Sequence, residues 1–203
     1  MKLFKNIKKW LENQKHLFYL FLLILIVPNI ILCFTEPMPV VAKVCNVLFP
    51  FAFYYLLMTL SRNCGKMFWI LFLFIFFGAF QIVLLYLFGQ SIIAVDMFLN
   101  LVTTNSSEAM ELLDNLVPAL VSVIILYIPA LILAAISIIK KRKLSPEFIR
   151  RERKKAWIAL LIGFISLGAA YGLDKRYELK SDLYPANVCY NVALAFQRNA
   201  QTR

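Results

Sequence analysis

The chain has 203 residues, of which 62% are apolar and 16% charged, with 18 Phe and a mean hydropathy of +0.75. So few polar side chains cannot cover a soluble domain, and most of the chain must meet lipid. The net charge of +11 would point a soluble protein toward nucleic acid. Here no RRM, zinc-finger or helix-turn-helix pattern accompanies it, and the basic residues lie between apolar runs, where they report membrane orientation.

Apolar stretches fall at 17–34, 40–60, 67–89, 117–139 and 156–173. At about 1.5 Å per residue, each is long enough to cross a hydrocarbon layer of roughly 30 Å, and none has the periodic polar face of a soluble amphipathic helix. The first is expected to remain as a transmembrane helix rather than a cleaved signal, because Cys33-Phe34-Thr35-Glu36-Pro37 is bulky and acidic where small residues are needed. The expectation is an all-α membrane protein. Residues 1–173 form a domain of five transmembrane helices, with short amphipathic interfacial helices in an outer loop at 90–117, and 174–203 form a polar linker.

Lys and Arg counts set the orientation. Five precede the first stretch (Lys2, Lys5, Lys8, Lys9, Lys15), two lie between the second and third (Arg62, Lys66), and nine lie between the fourth and fifth. The segments at 35–39 and 90–116 hold none. The basic side is cytoplasmic by the positive-inside rule, which puts the N terminus inside and the segment after the fifth span outside. Lys43, near the outer start of the second stretch, does not fit this pattern cleanly, and its stem can snorkel to the interface. The basic run from Lys140 to Lys155 reads as a loop lying on the anionic inner leaflet, with a cytoplasmic protein partner as the alternative.

Proline marks the turns. Pro37 and Pro39 make the outer turn between the first two spans, and Pro118 suits a helix start. Pro28, Pro50 and Pro129 fall within or near the ends of spans, where a kink is tolerated if neighbours satisfy the freed carbonyls.

Chemistry inside the spans is sparse. The lone histidine, His16, lies at the inner end of span one, and Gln81 is the only strongly polar side chain deep in span three. Such spans lack the midplane ionisable groups of an ion-coupled transporter. Gln81 is expected to hydrogen-bond to a neighbouring helix. Cys33, Cys45, Cys64 and Cys189 form no C-x-x-C motif and no metal-ligand spacing. They read as isolated thiols, with a Cys33 to Cys189 bridge on the outer side as the alternative.

The outer loop is different, because its apolar residues are spaced for helices lying along the interface. The run Val95-Asp96-Met97-Phe98-Leu99-Asn100-Leu101-Val102-Thr103-Thr104-Asn105-Ser106-Ser107-Glu108-Ala109, with Leu183-Tyr184-Pro185-Ala186-Asn187-Val188-Cys189-Tyr190-Asn191-Val192-Ala193-Leu194-Ala195-Phe196, resembles the membrane domain of bacterial lipid A phosphoethanolamine transferases. The resemblance covers essentially the whole chain. It implies a bacterial inner-membrane anchor that precedes a periplasmic alkaline-phosphatase-like, sulfatase-related domain. In that family a zinc-bound threonine takes phosphoethanolamine from phosphatidylethanolamine and passes it to lipid A, which blunts cationic peptides such as polymyxin. The catalytic domain is not in this sequence, so zinc is expected there and no cofactor or catalytic residue in this chain, which alone should be inert. The tail through Arg203 is expected to lead into that domain.

The resemblance further implies that Asn100, Thr104 and Glu108 line the donor-lipid site. Their spacing of four and four would put them on one face of a continuous helix. Glu108 can pair with the headgroup ammonium, while the Asn100 amide and Thr104 hydroxyl can donate to phosphate oxygens. The alternative is local, since Asn105-Ser106-Ser107-Glu108 also has the spacing of an N-terminal cap with its reciprocal glutamate. A competing reading of the whole chain is a self-contained small transporter or a structural assembly subunit. A transporter predicts an internal repeat and a midplane polar site, and the sequence offers neither.

Overall fold

The structure is a computed structural model that describes residues 1–35, 37–88, 106–173, 183–184 and 186–201, with backbone only at 84–88, 106–116, 187–188 and 199. The described elements are helices: α1 (Lys2–Glu12), α2 (Gln14–Thr35), α3 (Val40–Met58), α4 (Cys64–Ile70), α5 (Phe72–Phe88), α6 (Ser106–Ile139), α7 (Pro146–Leu173) and α8 (Ala186–Gln201). Four of them, α2, α3, α6 and α7, contain stretches long and apolar enough to cross a bilayer. The pair α4 and α5 makes a fifth crossing if its halves act as one span. The chain is a multi-pass, all-helical membrane protein.

Local sequence explains most of the boundaries. Leu3, Phe4, Ile7, Trp10 and Leu11 fall on one arc of α1 at about 100° per residue, with Lys2, Lys5 and Lys9 opposite, so this helix is amphipathic rather than spanning. It stops at Asn13, whose extended backbone breaks the helix and whose Oδ1 accepts from the Lys15 amide at 3.0 Å. His16 secures the joint by stacking on Trp10, with ring centroids 4.7 Å apart, and its Nδ1 lies 3.0 Å from the Trp10 carbonyl oxygen.

Two boundaries differ from the sequence expectation. The basic run to Lys155 is not a loop beyond Ser145, because α7 starts at Pro146. Ser145 Oγ accepts from the Phe148 amide at 3.2 Å, and Pro146 occupies the first helical position, where its missing donor is harmless. Pro118 likewise does not start a helix but lies inside the 34-residue α6. At about 51 Å, α6 is longer than the apolar span Val117–Ile139 within it.

The helices α4 and α5 meet at 63° about Leu71 (φ −82°, ψ 15°). No Pro or Gly stands between Met67 and Phe77, so the cause is tertiary. A Cβ on Gly65 would lie 2.4 Å from the Ala134 carbonyl oxygen, which shows how closely α4 approaches the α6 backbone. Trp69 Nε1 donates to the Leu131 carbonyl at 3.2 Å, and Phe68 stacks on Phe21 of α2 at 4.6 Å. Small residues permit this backbone approach, and packing rather than hydrophobic driving force holds helices together in lipid.

Around this contact α2 lies against α3, α4 and α5, α6 against α4 and α5, and α3 along α7. The core comprises Phe18, Phe21, Tyr54, Met58, Phe68, Tyr127 and their neighbours. At the basic end, the α3–α4 and α6–α7 turns are tied reciprocally. The Leu144 amide donates to the Arg62 carbonyl at 2.8 Å, and Arg62 Nε donates to the Leu144 carbonyl at 2.9 Å.

Candidate functional site

Asn100 and Thr104 lie outside the described residues. Glu108 lies in the first turn of α6, where the backbone alone is described. Since α6 runs from this end toward Ser137, which contacts Gln14 near the start of α2, Glu108 belongs to the end of the bundle opposite α1.

Deeper in the bundle, a buried polar cluster gathers α2, α3, α5, α6 and the segment after α7. It starts from proline. Pro50 has no amide hydrogen, so the carbonyl of Asn46, one turn earlier, loses its helical donor. Asn29 Nδ2 takes the vacant place at 3.0 Å, and the same nitrogen donates to the Tyr184 carbonyl at 2.7 Å. Asn46 Nδ2 in turn reaches Met38 Sδ at 3.3 Å. One amide thereby satisfies a proline-freed carbonyl and fastens the chain beyond α7 to the bundle.

Tyr184 is 1% exposed and Tyr127 3% exposed. Their hydroxyls converge on Gly78, where a Cβ would meet Tyr127 Oη at 2.7 Å, Pro28 Cγ at 3.0 Å and Tyr184 Oη at 3.2 Å. Glycine is needed here to leave room for two phenols. Among the described residues, both hydroxyls and Asn29 Oδ1 are buried without a hydrogen-bond partner. Burial holds the Tyr184 phenol well above its ordinary pKa, so it stays neutral and able to donate. These oxygens can orient a water or an oxygen-bearing group. Beside them an apolar groove of about 220 Å³ is walled by Phe49, Phe53, Phe74, Leu183 and Cys189.

Tyr190 and Phe196 are exposed, but Tyr184 is buried. The signal that could have found the cluster is the proline rule itself, because Pro50 requires a buried donor near Asn46 and Asn29 is a buried span amide. Gln81 is also fully buried in α5. Cys33, Cys45, Cys64 and Cys189 form no disulfide with one another, and Cys189 is exposed.

A second buried polar feature lies at the basic end. Glu152 of α7 has a fully buried side chain that accepts from Tyr55 Oη and lies 3.4 Å from Lys155 Nζ and 3.7 Å from Arg151 Nε. Beside it, Arg153 Nη2 donates to the Thr59 carbonyl at 2.7 Å. Its neighbours in sequence are solvated cations, so nothing in the run Arg150 to Lys155 marks Glu152 as buried.

Among the described residues no group of three or more His, Cys, Asp or Glu is placed to hold a metal ion. No family model, curated protein or solved structure matches the chain.

Proposed function

We propose that this chain is the membrane part of a phosphoethanolamine transferase of the bacterial inner membrane, with its N terminus cytoplasmic and its C terminus periplasmic. It anchors the enzyme and helps bind phosphatidylethanolamine, while a separate zinc-dependent domain carries the transfer to lipid A or a related envelope glycan. The carrying observation is the pair of runs at 95–109 and 183–196, which resemble that family's membrane domain. The seating of Tyr184 through Asn29 supports the reading. A chain leaving the fifth span is thereby held at one point on the bundle, as a domain working on membrane lipid requires. The basic-residue bias supports the orientation.

Asn100, Thr104 and Glu108 are the proposed headgroup ligands. The test has two parts. The coding sequence beyond Arg203 should encode a nucleophilic threonine with an Asp/His metal set, and a stop codon there would defeat the reading. The full-length product, given phosphatidylethanolamine labelled in its headgroup, should pass label to lipid A. Glu108→Gln and Glu108→Ala should lower donor-dependent transfer without lowering thermal stability. Transfer at the unmutated rate in both would remove Glu108 from the site, and failure only through melting would assign it to helix capping. Solute flux through liposomes carrying the chain alone would instead favour a transporter.

A further inference from the structure

We infer that the cleft between α1 and α6 binds one anionic phospholipid of the leaflet in which α1 lies. This is independent of the transferase reading and concerns the opposite end of the bundle. A cavity of about 430 Å³ opens there, lined by Phe4 and Ile7 of α1 and Ile136 of α6 together with Lys8, Lys140, Arg142 and Glu12. Apolar walls combined with three cations and one carboxylate match an acyl chain joined to a phosphate diester. They do not match a soluble anion, which has no use for the walls.

The placement of the lysines strengthens this. On the wheel of α1, Lys8 flanks the apolar arc, whereas Lys2, Lys5 and Lys9 fall on the far side. Lys8 is therefore the α1 lysine whose charge comes to the cleft. Lys140 and Arg142 arrive from the turn after α6, which is held in place by backbone bonds. The Arg142 amide donates to the Ser137 carbonyl and the Lys141 amide to the Ile138 carbonyl, each at 3.1 Å. The Trp10–His16 stack fixes the angle at which α1 leaves α2. The cleft is thus framed by locked joints rather than by a loose arm. Phe4 is 76% exposed, which suits a side chain that a lipid covers. Among the described residues the ion pairs are those of Glu152 with Arg151 and Lys155, so the cleft cations are not spent on protein carboxylates. Basic residues beside the bilayer attract anionic lipid generally. The cleft adds a defined seat, and the test separates the two.

The chain would be reconstituted in nanodiscs of equal phosphatidylglycerol and phosphatidylcholine, and retained lipids counted by native mass spectrometry with thermal unfolding monitored in parallel. The unmutated chain should retain one phosphatidylglycerol in preference to phosphatidylcholine. The variant K8Q/K140Q/R142Q should bind it about tenfold or more weakly, and Ile136→Trp, which fills the cleft without changing charge, should also displace it. The control K2Q/K5Q/K9Q, which removes the same charge from the far face, should retain it. Equal loss in both triple variants would show a general field and overturn the site, as would no preference for phosphatidylglycerol in the unmutated chain or full retention in Ile136→Trp.

Discussion

The Asn29 side-chain amide donates to the Asn46 carbonyl at 3.0 Å, completing between helices the bond that Pro50 cannot make within its own. The same amide holds Tyr184, 155 positions away in sequence. Asn29→Leu should therefore cost about 2–3 kcal/mol, because two buried carbonyls lose a donor. Adding Pro50→Ala should recover about 1 kcal/mol by restoring the amide that bonds Asn46. Unfolding of both variants in detergent checks this, and strictly additive losses would break the proposed link.

Gly78 and Tyr127 should be coupled in the same way. Gly78→Ala places a methyl within 2.7 Å of Tyr127 Oη and should cost about 1–3 kcal/mol. Tyr127→Phe removes a buried hydroxyl that has no partner among the described residues, so alone it should be neutral or stabilising. In combination it should relieve much of the Gly78→Ala loss. A double-mutant cycle by thermal unfolding measures the coupling.

The approach of α4 to α6 depends on the hydrogen at Gly65. Gly65→Ala directs a methyl at the Ala134 backbone oxygen, 2.4 Å away, and backbone cannot move aside as a side-chain tip can. A loss of about 2–3 kcal/mol is expected. Gly168→Ala, with nothing within 4 Å, should be stable or slightly improved by its higher helix propensity. Equal melting temperatures for the two variants would refute the contact.

Glu152 gathers Tyr55, Lys155 and Arg151 about one buried carboxylate. Glu152→Ala should cost about 1.5–3 kcal/mol through its charged hydrogen bond to Tyr55, and Glu152→Gln less, since the amide oxygen can still accept. Glu147→Ala, on the exposed first turn of the same helix, should change stability by about 0.5 kcal/mol or less. Chemical unfolding monitored by tryptophan fluorescence distinguishes these.

Lys141 adopts a left-handed backbone, φ 50°, where a side chain is strained and glycine is not. It ends α6 in a paired set of bonds, Arg142 to Ser137 and Lys141 to Ile138, the arrangement that usually recruits glycine. Lys141→Gly should raise stability by about 0.5–1 kcal/mol. An unchanged or lowered melting temperature would contradict it.

Much of the fold was legible in the chain because the bilayer imposes a one-dimensional rule. Length and apolarity decide where a helix crosses, and α2, α3, α6 and α7 each contain a run that the composition marked. Asn100 and Thr104 of the candidate lipid site lie outside the described residues, and the case for them rests on sequence alone.

By itself the sequence determined where the apolar runs lie, their helical state and the asymmetry of basic charge, since each follows from residues near one another in the chain and from lipid as solvent. Tertiary structure decided the rest. The bend at Leu71 comes from Gly65 against Ala134 and Trp69 against Leu131, contacts that no local pattern encodes. Burial of Glu152 and Tyr184 follows from which helix face meets which neighbour, and spans with apolar residues all round give little periodicity from which to read that choice. The partner of a proline-freed carbonyl is likewise a long-range matter. Pro50 creates the need for a donor, but only the packing of α2 against α3 makes Asn29 the residue that meets it.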